Sequence, residues 1–80
     1  MKHVYLIRSV RTPTHIYVGI TSDVNARLAE HNAGRSPHTS KQIPWQLVVA
    51  VCFEDDSKAA AFEGYLKSGS GRAFAKRHFW

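Results

Sequence analysis

The chain has 80 residues, with 11 Lys and Arg against 6 Asp and Glu, so its formal net charge is +5. This length fits one small domain over residues 1–80, which buries only about 60% of the surface its unfolded chain exposes. No apolar run approaches the roughly 18 residues that span a bilayer, and the N-terminal sequence lacks the features of a secretory signal. The single cysteine, Cys52, excludes an internal disulfide and cysteine-based zinc sites; its apolar neighbours predict a buried thiol in a reducing cytoplasm.

The basic balance, with a pI near 9.8, favours partners that carry phosphate groups. Many small soluble proteins are equally basic without binding nucleic acid. Charge alone therefore leaves the partner open.

Two strands are predicted at the start of the chain. The segment HVYLIRSV (residues 3–10) is almost continuously apolar, which is typical of a strand covered on both faces. After a loop at Pro13, HIYVGI (residues 15–20) reads as a second strand, and the short connection predicts an antiparallel hairpin. If odd positions pair with odd positions, one sheet face carries Tyr5, Tyr17 and Gly19, and the other carries Ile16, Val18 and Ile20.

The segment TSDVNARLAEHNAG has the signals of a helix. Ser22 or Asp23 can cap its start, and Gly34 ends it. Val24 and Leu28 lie one turn apart and form its inward face.

The second half of the chain predicts a strand and two helices. A polar loop at residues 35–44 precedes WQLVVAVCF (residues 45–53), a strand expected to be covered on both faces. A helix follows at residues 58–67, SGSGR breaks it, and Ser70 can cap a last basic helix. Phe74 and Trp80 are expected to pack back on the domain. The fold class is therefore α+β, a small three-stranded antiparallel sheet flanked by helices in the order β-β-α-β-α-α.

Three polar side chains stand where a purely structural design would place others. Arg27 and His31 are four residues apart on the first helix, so they share one face, at the expected rim of the sheet. Surface packing of both explains this pair equally well. Glu63 falls on the apolar half of its helix, where a carboxylate is costly unless it is paired with Lys67 or holds a cation.

These residues combine into one chemical hypothesis. Two phenols, a guanidinium, an imidazole and a carboxylate can act together on a phosphodiester. The arginine would neutralise the phosphate, the carboxylate would hold a hard divalent ion, and a phenol or imidazole would move a proton. The five histidines lack zinc-motif partners, and SGSGR lacks the ending of a phosphate-binding P-loop.

Several motifs resemble those of the GIY-YIG nuclease superfamily, specifically its small stand-alone bacterial members. VYL (residues 4–6) and YVG (residues 17–19) match the two name motifs, although the first reads Val-Tyr-Leu where the family name has Gly-Ile-Tyr. Arg27 in GITSDVNARLAEHNAG, the dipeptide HT at residues 38–39 and PWQLV match later landmarks. Glu63 in AFEGYLKSGSGRAF matches the metal-binding glutamate of the family, so the resemblance covers nearly the whole chain.

The resemblance implies a role for each of these residues. Tyr17 would accept the proton of the attacking water, and Tyr5 would position the nucleophile or the phosphate. Arg27 would stabilise the developing charge, and His31 would assist by hydrogen bonding or proton relay. Glu63 would hold one divalent cation, Mg²⁺ or Mn²⁺. A phenol with a pKa near 10 is a poor base at neutral pH, so its anion needs stabilisation by a neighbouring group.

Glycine and asparagine residues mark two further points of comparison. Gly19 is expected to keep the sheet face open for a nucleic-acid backbone, despite a strand cost of roughly 0.5–1 kcal/mol. Many nucleases of the family have a supporting asparagine in their last segment, but this chain has none after Glu63. Lys67 or Ser68 is the candidate to occupy that space.

Three functions follow as hypotheses: a metal-dependent endonuclease, a nucleic-acid-binding module without useful catalysis, and a protein-interaction domain with relic site residues. The first would cut branched, damaged or single-stranded DNA, or RNA, in the cytoplasm. Without an appended binding domain, a homodimer or a partner protein would supply specificity. The candidate nucleic-acid contacts are Gly19, His38, Lys41, Lys67, Arg72, Lys76 and Arg77.

Overall fold

The computed structural model describes residues 1–80 and contains three strands and three α-helices. In chain order these elements are β1 (Lys2–Ser9), β2 (Ile16–Thr21), α1 (Val24–Asn32), β3 (Trp45–Phe53), α2 (Asp56–Leu66) and α3 (Gly69–His78). A short 3-10 helix at Ser40–Gln42 interrupts the loop before β3. The predicted α+β class and element order are confirmed. None of the helices is both long and apolar enough to cross a membrane.

The sheet is antiparallel, and β1 lies in its centre between β2 and β3. Tyr5 pairs with Gly19 and Ile7 pairs with Tyr17, so odd positions pair with odd positions as the sequence predicts. The register between β1 and β3 shifts after Leu6, because Leu6 pairs with Val49 and Ile7 pairs with Leu47, so β3 has one extra residue at position 48. The hairpin places both site tyrosines on the same face of the sheet.

Each face of the sheet has its own apolar core. Val4 and Leu6 of β1 pack with Leu66 of α2 and Ala75 of α3 on one face. Tyr5, Ile7 and Trp45 pack on the other face, and the partly buried residues against them include Tyr17, Val24 and Leu28. Because side chains alternate along a strand, β1 contributes its even positions to one core and its odd positions to the other.

β3 lies at one edge of the sheet and is not covered on both faces, which corrects two expectations. Leu47 is 41% exposed, and Cys52 is exposed instead of buried. A near-continuous apolar run predicts a strand but does not show which of its faces is covered, and only the central strand β1 is covered on both.

The residues that cap the helices are those predicted from the sequence, with one correction. The Asp23 carboxylate accepts from the backbone of Ala26 at the start of α1, and Gly34 follows α1 with a φ of +78°. The start of α3 is capped by Ser68, not by Ser70: its Oγ accepts from Gly71 N at 3.2 Å. The break between α2 and α3 is therefore shorter than SGSGR suggests.

Gly19 is required by the packing inside the domain. A Cβ at this position would collide with the hydroxyl and ring carbons of Tyr5. Tyr5 is the β1 residue that pairs with Gly19, and its ring extends over the glycine. Gly19 is itself buried. The expectation that the glycine leaves room for a nucleic-acid backbone is thus corrected, because the Tyr5 phenol occupies that space.

We predict opposite effects for alanine at two glycines. Gly19→Ala should destabilise the protein by about 1–3 kcal/mol, because the added methyl group overpacks against Tyr5. Gly64→Ala, in α2 with nothing within 4 Å of the added Cβ, should stabilise it by about 0.5–1 kcal/mol. Urea unfolding followed by circular dichroism measures both changes, and equal stabilities of the two variants would contradict this account of Gly19.

Candidate active site

Three aromatic rings meet where α1 covers the odd-numbered face of β1 and β2. The ring centroids of Tyr17 and His31 are 5.1 Å apart, and those of Tyr5 and His31 are 5.7 Å apart. The two tyrosine rings are 6.3 Å apart. The structure therefore brings both strand tyrosines and the helix histidine into one cluster.

Hydrogen bonds join this cluster to the loop before β3. The Tyr5 hydroxyl lies 2.8 Å from Nε2 of His31, and His31 Nδ1 lies 2.7 Å from Oγ1 of Thr39. His31 and Thr39 are fully buried, and Tyr5 is 2% exposed. The expectation that His31 lies at the rim of the sheet is wrong: the loop folds over the helix, and both ring nitrogens have buried partners.

A second set of hydrogen bonds fixes the position of Thr39. The indole N–H of Trp45 donates to the Thr39 carbonyl at 2.9 Å. The Asn32 side chain accepts from Trp45 N at 2.6 Å and donates to its carbonyl at 3.1 Å. The end of α1, the loop and the start of β3 are thus tied together around the buried histidine.

Burial controls the protonation of the cluster. It lowers the pKa of His31 below 6.5, and the positive charge of Arg27 acts in the same direction. Burial also raises the pKa of Tyr5, an effect that the Arg27 guanidinium opposes in part. Both groups are therefore held in their neutral forms near pH 7.

Arg27 of α1 places a positive charge beside the aromatic cluster. It lies close enough to Tyr5 for hydrogen bonding to raise the pKa of the guanidinium, and its Nη1 lies 3.5 Å from Oε1 of Glu30. Its side chain is 33% exposed. The guanidinium thus links the buried phenol to the surface, where an anion can reach it.

Glu63 comes from α2, the helix that packs on the opposite face of the sheet. Its Oε2 lies 2.6 Å from Nζ of Lys67, so the carboxylate has the cationic partner that the sequence offers as the alternative to a bound metal ion. No group of three or more His, Cys, Asp or Glu side chains is placed to hold a metal together. One carboxylate nevertheless suits Mg²⁺, which proteins often hold through one or two carboxylates, water and substrate phosphates.

A basic groove runs along the β2 edge of the domain. We use this name for a cavity of about 730 Å³ whose polar lining includes Arg8, Tyr17, Lys67, Arg72 and Lys76. No Asp or Glu side chain lines it, and its apolar lining consists of Pro13, Ile16, Val18, Leu66, Ala75 and Trp80. Tyr17 thus belongs to both the aromatic cluster and the groove, and Lys67 connects Glu63 to the same groove.

The groove contains some of the candidate nucleic-acid contacts and leaves out others. Lys67, Arg72 and Lys76 line it. The exposed His38 and Lys41 lie in the loop before β3, and Gly19 is buried under Tyr5. Arg77 lines a separate, smaller pocket beside Tyr65, Ser70, Ala73, Phe74 and His78.

Sequence reasoning missed Thr39 and Arg8 as site residues. In the sequence Thr39 stands out only as part of the HT dipeptide, and no pattern places it against His31. Arg8 carried a signal, since it is the one charged residue inside the apolar segment HVYLIRSV. Its guanidinium lies 5.6 Å from the ring centroid of Trp80, at the floor of the basic groove.

The fold and this arrangement define a small α+β domain with a two-tyrosine site beside a basic groove. The model of the GIY-YIG catalytic domain matches residues 1–77. The chain therefore belongs to the GIY-YIG family, as its motifs indicate.

Its relatives include small proteins and one part of a larger nuclease. A UPF0213 protein of Haloquadratum walsbyi is 37% identical over 67 residues, which cover 82% of this chain and 73% of the relative. A UPF0213 protein of Lacticaseibacillus paracasei is 38% identical over 52 residues, or 64% of this chain and 58% of the relative. The structure-specific endonuclease subunit slx1 of Talaromyces marneffei is 35% identical over 52 residues, or 59% of this chain and 13% of slx1.

We predict that His31 makes the stability depend on pH. Because the folded-state pKa of His31 lies below 6.5, the unfolded chain takes up a proton that the folded protein does not. The stability is complete above about pH 6.5 and falls as the pH drops toward the folded-state pKa, by at most about 1.4 kcal/mol per pH unit.

Urea unfolding between about pH 4.5 and pH 7.5 measures this slope. Asp55 does not contribute to the slope above about pH 4.5, because hydrogen bonds from Ser57 lower its pKa from 3.8. His31→Gln should flatten the slope, whereas His15→Gln, at an exposed histidine, should retain it. A slope that survives His31→Gln would assign the proton to another group.

Proposed function

We propose that this protein is a metal-dependent endonuclease that hydrolyses phosphodiester bonds of nucleic acid, most naturally DNA, in the cytoplasm. One observation carries the proposal: Tyr17 packs against the buried His31 and also lines the basic groove. A phosphate attracted by the cations of the groove therefore arrives beside a phenol that is backed by an organised polar cluster.

Each residue of the cluster has a part in this proposal. Tyr17 accepts the proton of the attacking water, and Arg27 neutralises the charge that develops on the phosphate. Tyr5 and His31 are buried, so they act from behind this surface by hydrogen bonding. Because low polarity strengthens such hydrogen bonds, the buried pair can hold the site in one geometry.

Glu63 is the residue that would hold the divalent cation. When bound, such an ion would polarise the phosphoryl group and stabilise the leaving oxygen. Lys67 places its ammonium against this carboxylate. A metal ion must share or displace that ammonium, and a phosphate in the groove offers Lys67 another anion.

The lining of the groove favours unpaired nucleotides as substrate. Four cations suit a phosphate backbone, while the apolar floor and Trp80 suit bases that are not stacked in a duplex. The relative slx1 is named as a structure-specific endonuclease subunit, so DNA substrates that differ in structure are a suitable test. A homodimer or a partner protein would then supply further specificity.

A nucleic-acid-binding module without catalysis is the second candidate. The ion pair between Glu63 and Lys67 favours it, since the carboxylate already has a cationic partner. The absence of asparagine after Glu63 points the same way. Both functions require the basic groove, and they differ only in whether bound nucleic acid is cut.

We predict that cleavage needs the Tyr17 hydroxyl and the Glu63 carboxylate. The substrates are single-stranded, duplex and branched DNA with Mg²⁺ or Mn²⁺. Tyr17→Phe should reduce the rate by at least about 100-fold, because it removes the proposed base. Glu63→Gln should abolish the metal-dependent cleavage, because it removes the carboxylate that would hold the ion. Tyr65→Phe makes the same chemical change at a tyrosine that is 41% exposed on α2 and should cut as the native protein does.

The outcomes separate the two functions. Cleavage by native protein and Tyr65→Phe, but not by the two site variants, supports the enzyme. Binding without cleavage by every version identifies the binding module. Equal cleavage by every version indicates a contaminating nuclease.

We predict that the basic groove sets the salt dependence of binding. Each lost phosphate contact should reduce the slope of log K against log salt by about 0.7 for single strands. Arg72→Gln and Lys76→Gln should each show this decrease, measured by fluorescence anisotropy with a labelled oligonucleotide and no metal. Lys58→Gln, an exposed α2 lysine outside the groove, should leave the slope unchanged. Equal slopes for all three variants would place the nucleic acid on another surface.

A further inference from the structure

The chain of hydrogen bonds from Thr39 through His31 to Tyr5 has a direction that can be deduced by counting protons. With neutral His31, the three side chains carry three protons: one on Thr39 Oγ1, one on the imidazole and one on Tyr5 Oη. The chain contains two hydrogen bonds, at 2.7 Å and 2.8 Å. One proton therefore remains at an end of the chain, either on the threonine or on the tyrosine.

The two ends differ in their surroundings. Thr39 Oγ1 has His31 Nδ1 as its only hydrogen-bond partner, and Thr39 is fully buried. If the imidazole donated to Thr39, the threonine proton would be buried without an acceptor, which is costly. At the other end, Tyr5 lies beside Tyr17 and Arg27, next to the face where substrate would bind.

We propose that Thr39 is a positioning residue, which donates to His31 Nδ1 and so keeps the imidazole proton on Nε2, where it donates to Tyr5. The Tyr5 oxygen is then occupied as an acceptor, and its own proton is directed to the catalytic face. Tyr5 thus acts from behind this face as a hydrogen-bond donor toward the Tyr17 oxygen. This role at the catalytic face rests on the proposed nuclease function.

The opposite direction would give Tyr5 the opposite role. With the imidazole proton on Nδ1, the Tyr5 hydroxyl would donate to His31 Nε2 and would have no proton left for the catalytic face. The tautomer of His31 therefore decides what the first site tyrosine can do.

Nitrogen-15 NMR of the uniformly labelled native protein near pH 7 measures the tautomer of His31. The shift of each His31 ring nitrogen, assigned through bonds, shows whether that nitrogen carries a proton. We expect a protonated Nε2 and an unprotonated Nδ1. A protonated Nδ1, or an imidazolium with both nitrogens protonated, would overturn the proposal without the need for any variant.

Two substitutions at Thr39 test the consequence for catalysis. Thr39→Val removes the hydroxyl and should lower kcat by about tenfold with little change in KM, since the lost interaction is one buried hydrogen bond. It should also give His31 a mixture of tautomers. Thr39→Ser retains the hydroxyl and should restore both the single tautomer and most of the rate. A native tautomer and a native kcat in Thr39→Val would contradict the positioning role.

These measurements distinguish two different failures. If the native protein cuts no nucleic acid, the proposed function fails, while the NMR result still reports the direction of the chain. If the protein cuts but His31 carries its proton on Nδ1, the nuclease function stands and the role of Thr39 is wrong. Circular dichroism of both Thr39 variants confirms that they are folded when compared.

Discussion

The hydrogen bond between the Tyr5 hydroxyl and His31 Nε2 organises much of this domain. It joins the central strand to α1, and both side chains are almost completely buried. A phenol and an imidazole are costly inside a protein unless each polar atom has a partner. The fold meets this requirement with Thr39 on the second ring nitrogen and with Gly19, whose missing side chain leaves room for the phenol. Loop, helix and hairpin must therefore form together.

Tyr17 connects the buried hydrogen-bonded residues to the surface of the domain. It shares the aromatic cluster with His31, and it also lines a groove with four cations and no Asp or Glu side chain. The cluster needs partners for its buried polar groups, whereas the groove needs positive charge that a phosphate can reach. Tyr17, at the β2 edge of the sheet, lies where the cluster and the groove meet. This placement, together with family membership, is why a phosphodiester is the substrate class that the structure favours.

Local patterns were sufficient to predict the elements, because they depend on neighbouring residues. The third strand has the predicted bounds, and Asp23 is one of the two caps expected for α1. The burial of individual side chains was harder to predict. The helix period places His31 on the correct face, but its burial depends on a loop without periodicity that returns over it. The cap of α3 was missed because two serines were available, and Cys52 was misjudged because apolar residues also occur on the open face of an edge strand.

The two faces of β1 impose a strict limit on changes in chain length. Tyr5 contributes to the polar cluster, while its neighbours Val4 and Leu6 contribute to the core under α2 and α3. One inserted or deleted residue within β1 would turn every side chain beyond it to the other face. The aliphatic residues would then meet the imidazole, and the phenol would enter the aliphatic core. Within the hairpin, a change of chain length is therefore best accommodated in the connection between β1 and β2.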